Sequence, residues 1–128
     1  MIYLDTSVAL AHVLAEDRHP PDRLWMEELV SSRLLEYEIW TRIHARELSS
    51  SHRDLVEELL ARVAMLELTR DVLARALEPF PLPVRTLDAL HLASLEFLRG
   101  LKQDVQLASY DDRQLAVANR LGIEICSL

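Results

Sequence analysis

Four acidic residues, Asp5, Glu38, Asp88 and Asp111, stand where alternating strands and helices would bring carboxylates together. Asp5 closes the apolar run Ile2-Tyr3-Leu4, and Glu38 falls in the first turns of the helix after Leu34-Leu35. Asp88 opens a helix near Thr86, and Asp111 follows the run Val105 to Ser109. Carboxylates a few ångströms apart repel and raise one another's pKa unless a cation joins them. An oxygen-only donor set suits Mg²⁺ or Mn²⁺, hard ions that keep several waters and bridge to phosphate. One or two such ions would lower the pKa of a water and stabilise the leaving oxygen of a phosphodiester. The chemistry implied is metal-assisted phosphodiester hydrolysis, with water as nucleophile and no covalent intermediate. The same string of acids could instead stabilise four separate helix starts, where exposed amide protons and the dipole favour an anion.

The elements that must position these acids follow from apolar spacing and breakers. Ile2-Tyr3-Leu4 is a short strand, and Thr6 or Ser7 is expected to cap the helix that carries Val8, Leu10, Ala11 and Leu14. After Pro20-Pro21, Asp22 to Val30 read as a second helix with Leu24, Trp25 and Leu29 inward, and Arg33-Leu34-Leu35 as an edge strand. Glu36 to Leu48 follow as a helix on Leu35, Ile39, Trp40 and Ile43. Ser51 with Asp54 has the spacing of a capping box, ahead of a stripe of Leu55, Val56, Leu59 and Leu60. Val63 to Leu68 is a strand, and Arg70 to Leu77 a helix ended by Pro79. Pro79, Pro81 and Pro83 hold Glu78 to Arg85 as the longest loop. Thr86 is the expected cap of the next helix, whose inward positions are Leu87, Leu90, His91, Ser94, Leu95 and Leu98, with Gly100 as its stop. Val105 to Ser109 is a strand, Asp111 to Leu121 a helix ended by Gly122, and Ile123-Glu124-Ile125 a last strand. Short apolar strands alternating with helices predict a parallel sheet covered on both faces, an α/β/α sandwich rich in helix. In such a sheet the carboxyl ends share one edge, so acids far apart in sequence can converge there.

Composition bounds the answer. At 128 residues the chain is expected to form one domain over 1–128, without repeats or linkers. No apolar run approaches the length needed to cross a membrane, and the start lacks the basic and apolar regions of a signal peptide. One cysteine, Cys126, excludes an intrachain disulfide and suits a reducing cytoplasm. A net charge of −7 argues against gripping nucleic acid by bulk electrostatics. It is compatible with a nuclease whose acidic centre is neutralised by divalent ions.

Leu4-Asp5-Thr6-Ser7 resembles the opening of a PIN-domain ribonuclease, and Arg85-Thr86-Leu87-Asp88-Ala89-Leu90-His91-Leu92-Ala93 resembles the third acidic motif of bacterial or archaeal VapC-type toxins. Ser109-Tyr110-Asp111, with Leu115, Ala116, Ala118 and Leu121-Gly122-Ile123, is similar to the fourth. The resemblance spans nearly the whole chain and is most specific around Asp88. It implies a compact PIN-like α/β/α sandwich and an endoribonuclease using Mg²⁺ or Mn²⁺, the toxin of a type II toxin–antitoxin pair. It also implies an RNA substrate, a cognate VapB-like antitoxin and a toxin homodimer. Carried onto this chain, it makes Asp5, Glu38, Asp88 and Asp111 the metal ligands and catalytic acids, with Thr6, Ser7 and Ser109 as supporting hydroxyls. Asp112 competes with Asp111, and Glu36 with Glu38; the motif spacing favours Asp111 and Glu38.

Other residues admit plainer roles. Glu38 and Arg42 are four apart, the spacing of an ordinary helix ion pair. Arg42, Arg46 and Arg85 are candidate contacts for RNA phosphate or for an antitoxin carboxylate. His91 lies on the apolar side of its helix and is expected to be a hydrogen-bonded core histidine rather than a base. His12, His19, His44 and His52 show no metal-ligand spacing. Two other functions share the outline: an aspartate-nucleophile phosphatase on Asp5, whose usual second acid is replaced by Ser7, and a binding module of the same fold without turnover.

Overall fold

The computed structural model describes all residues 1–128. Five parallel strands, β1 (Ile2–Leu4), β2 (Leu29–Ser32), β3 (Val63–Leu66), β4 (Gln106–Ala108) and β5 (Glu124–Ile125), lie in the order β3-β2-β1-β4-β5. Around them run α1 (Thr6–Val13), a 3-10 turn (Asp22–Met26), α2 (Leu34–Ala45), α3 (Ser49–Ala61), α4 (Arg70–Leu77), α5 (Thr86–Gly100) and α6 (Asp112–Arg120).

Strand alternation divides the interior into two cores. Ile2, Leu4, Leu29 and Ala108 face one side, with Val8 and Leu10 of α1, Leu35, Ile39 and Ile43 of α2, and Val56 and Leu59 of α3. Tyr3, Val30 and Leu107 face the other, with Leu92, Leu95 and Leu98 of α5 and Val117 and Ala118 of α6. Helices therefore cover both faces, as the α/β/α expectation requires. The chain builds outward from β1 through β2 to β3, then crosses to β4 and β5 on the other flank of β1. That reversal puts a switch point between the carboxyl ends of β1 and β4.

Several local expectations are corrected. Asp22 to Val30 is not a helix: only a 3-10 turn forms, and Leu29–Ser32 is a strand held between β1 and β3. All four of its residues are buried, so no alternation marks it as a strand. The buried hydroxyls are satisfied: Ser31 Oγ donates to Leu4 O at 2.7 Å, and Ser32 Oγ accepts from Leu34 N at 3.1 Å. Arg33-Leu34-Leu35 is accordingly no edge strand; Leu34 opens α2. Asp5, rather than Thr6 or Ser7, caps α1, accepting from Ser7 N at 3.1 Å. Neither Ser51 nor Thr86 is a cap, since α3 begins after Leu48 and α5 after Arg85, without a side-chain bond at either. Leu87 is 41% exposed, because Ala89, Leu92 and Ala93 complete the buried face instead. Gly100 remains helical, and Lys102, at φ +59°, takes the left-handed turn beyond it.

Candidate active site

The carboxyl edge of the sheet delivers the acids. Asp5 follows β1 directly, its amide bonded to Ala108 O, so β4 fixes the start of α1. Asp111 ends the turn after β4 and caps α6, with Oδ1 accepting from Arg113 N and Gln114 N at 3.0 and 3.3 Å. Glu38 lies one turn into α2, and Asp88 lies in the first turn of α5. All four line one cleft of ≈ 380 Å³, together with Thr6, Ser7, Arg42 and Arg85. Glu36 turns outward to Arg33 at 3.2 Å, and Asp112 is exposed; neither lines the cleft. Arg46, in the residue after α2, is exposed and also lies outside it.

Asp5 and Glu38 are each held through one oxygen. Asp5 Oδ2 accepts from Ser7 Oγ at 2.5 Å and from Ser109 Oγ at 3.0 Å. Ser7 Oγ in turn accepts from Tyr110 N at 2.9 Å, and Ser109 Oγ from Asp111 N at 3.0 Å. The two serines thus tie α1 to the β4–α6 turn. Glu38 Oε1 accepts from Thr6 Oγ1 at 2.8 Å and from His91 Nε2 at 2.5 Å, and takes no ion pair from Arg42. Asp5 Oδ1 and Glu38 Oε2 receive no hydrogen bond from the protein.

Behind Glu38 stands a buried chain of donors. His91, 1% exposed, places Nδ1 2.9 Å from Tyr3 Oη, which accepts from Ser32 N at 3.1 Å. An ionised carboxylate only accepts, so Nε2 is the donor to Glu38. Burial alone would keep His91 neutral; the Glu38 hydrogen bond, with the charges of Asp5, Glu38 and Asp88, outweighs it and raises the imidazole pKa. Burial also pushes the Tyr3 phenol up. His91 is therefore the bonded core histidine expected of its position. Its direct grip on Glu38, and the part of Tyr3, were missed. The available signal was that His91 lies one turn beyond Asp88, on the helix that faces the cleft.

Asp88 and Asp111 share a cation. Arg85 Nε is 3.2 Å from Asp88 Oδ2 and its Nη2 is 3.0 Å from Asp111 Oδ2. Burial and the neighbouring Asp111 charge nevertheless raise the Asp88 pKa against the pull of Arg85. The donor set suits a hard divalent ion: it is all oxygen, and crowding already disfavours the charge on one acid. As the side chains stand, no three of the acids close on a common point at metal-ligand distance.

Fold and cleft together define an α/β/α domain that gathers carboxylates at the switch point of a parallel sheet. The chain belongs to the PIN-domain family, whose model matches residues 2–120. It is 31% identical over 127 residues to Ribonuclease VapC46 of Mycobacterium tuberculosis, covering 97% of this chain and 95% of that one. It is 28% identical over 134 residues to Ribonuclease VapC47 of the same species, covering 99% and 96%. Its fold is similar to that of a chain in a toxin–antitoxin complex from Klebsiella pneumoniae, with a TM-score of 0.61 over 91% of each chain at 15% identity.

Proposed function

We propose that this chain is a divalent-metal-dependent endoribonuclease, the toxin of a type II toxin–antitoxin pair. The observation that carries the proposal is the lining of one cleft by Asp5, Glu38, Asp88 and Asp111, in a PIN-family chain similar to two proteins named ribonucleases. Asp5 Oδ1, Glu38 Oε2, Asp88 and Asp111 are the residues that would hold one or two Mg²⁺ or Mn²⁺ ions. When bound, such an ion supplies a more acidic water and charge stabilisation at the leaving oxygen. Thr6 and His91 orient Glu38, and Ser7 and Ser109 orient Asp5. Water attacks phosphorus in line, the P–O3′ bond breaks, and the products carry a 5′-phosphate and a 3′-hydroxyl. Arg42, at the cleft wall, faces an incoming phosphate.

The proposed partners are a VapB-like antitoxin and a second copy of this chain. The antitoxin would set a basic side chain against the acids and an amphipathic helix on apolar surface. No helix is long and apolar enough to cross a membrane. The proposed location, the cytoplasm, follows from the toxin reading.

Purified protein incubated with structured RNA and Mn²⁺ is expected to cut it internally, leaving 5′-phosphorylated ends. EDTA, or the substitution Asp88→Asn, is expected to stop the reaction. Cleavage that survives both overturns the proposal.

A further inference from the structure

We propose that Arg85 is a resident counter-cation of the site: its guanidinium bridges Asp88 and Asp111 until a divalent ion takes their oxygens, and then turns to an RNA phosphate. This rests on the function proposed above and concerns the order in which cations occupy the cleft.

The competition is set by which oxygens are already committed. Asp111 Oδ1 is engaged by the first amides of α6, so Oδ2 is the oxygen left to face the cleft. That oxygen is the one 3.0 Å from Arg85 Nη2. An ion that uses Asp111 therefore meets the Arg85 guanidinium at that oxygen, and two cations compete for one acceptor. At Asp88 the guanidinium engages Oδ2, three residues along the same helix. With Arg85 between them, Asp88 and Asp111 share one positive charge against their two negative ones, and no three acids close on one point.

The bridge is built to open. Arg85 is 66% exposed at its side chain, whereas Asp88 and Asp111 are 19% and 21% exposed, so the cation sits at the mouth and the anions lie beneath it. Arg85 precedes α5 and bonds no helix amide through its side chain. It can swing without disturbing the helix start. A guanidinium released there stays at the rim of the cleft beside Arg42, where its planar fork matches a phosphodiester. Exchange thus converts a cation that silences acids into one that faces substrate. Because linkage is reciprocal, removing Arg85 must favour the ion.

The test compares wild type with Arg85→Gln by calorimetric titration of Mn²⁺, by thermal unfolding, and by steady-state cleavage of RNA. For Arg85→Gln the Mn²⁺ Kd is expected to fall roughly tenfold while KM for RNA rises severalfold, two ligands moving in opposite directions. Without metal the variant is expected to melt below wild type, and saturating Mn²⁺ to close that gap. An Mn²⁺ Kd that is unchanged or weaker overturns the exchange, and an unchanged KM overturns the phosphate contact. A saturable site in the variant alone would be the exchange at its strongest. No saturable site in either protein would sink the metal-dependent function itself, and the exchange with it.

Discussion

His91 Nε2 donates to Glu38 Oε1 at 2.5 Å, and the imidazole is held from behind by Tyr3 Oη at 2.9 Å. The two residues lie 53 positions apart, on helices covering opposite faces of the sheet. One interaction therefore braces the cleft across both layers. It also gives the protein a pH response with a definite sign. A histidine that titrates higher folded than unfolded contributes stability that is fully present below its unfolded value near 6.5. That contribution is lost as pH rises through the folded value.

Replacing His91 with Asn should leave Glu38 short of a donor and Tyr3 short of its partner in a buried site. The expected cost is about 2–4 kcal/mol, measured by urea denaturation at pH 6. Stability of the wild type should decline above about pH 6.5, and that decline should be absent from His91→Asn. A variant with an unaltered pH profile would show that the imidazole titrates alike in both states.

Asp88 has the opposite role in stability. Burial and Asp111 hold its pKa above the ordinary value, so its charge opposes folding at neutral pH. An acid of this kind favours the fold below its unfolded value near 3.8 and loses that contribution as pH rises through the folded value. Asp88→Asn is expected to raise the unfolding midpoint of the metal-free protein at pH 7 while reducing cleavage by at least about 100-fold. Saturating Mn²⁺, at about 100 times its Kd, should add about 2.7 kcal/mol to the wild type and much less to the variant. Differential scanning fluorimetry with and without Mn²⁺ reads both effects.

Ser7 joins Asp5 to the backbone at Tyr110, so its hydroxyl holds the switch point together. Ser7→Ala should cost about 1–2 kcal/mol by denaturant titration, because Tyr110 N–H loses its acceptor in a part-buried position. It should also weaken Mn²⁺ binding, since Asp5 keeps one fewer donor to orient it. Retained affinity would mean that Ser109 Oγ and the backbone amide of residue 7 suffice to orient Asp5.

Helix-rich α/β order, the helix Arg70–Leu77, the loop before α5 and the last strand could all be read from the chain, because each depends on signals within a few residues. β2 could not. Its Leu29-Val30-Ser31-Ser32 run is buried on both faces, so it lacks the alternation that marks a half-exposed strand, and its neighbours suggest a helix in progress. Only pairing with β1 on one side and β3 on the other makes it a strand. At α1 the cap lies one residue earlier than expected, because Asp, Thr and Ser can each serve and Asp5 is the one whose backbone is extended there.

What the sequence determined by itself is the list of acids and the presence of the helices that carry Glu38 and Asp88 and of the strands that Asp5 and Asp111 follow, since these are written in local periodicity and breakers. Tertiary structure alone decided that Asp5, Glu38, Asp88 and Asp111 line one cleft, that His91 grips Glu38, and that Arg85 reaches Asp111 26 residues away. These relations follow from the register of a parallel sheet, which joins segments far apart in the chain. No property of any single segment encodes the distance between two side chains that meet only after the strands have paired.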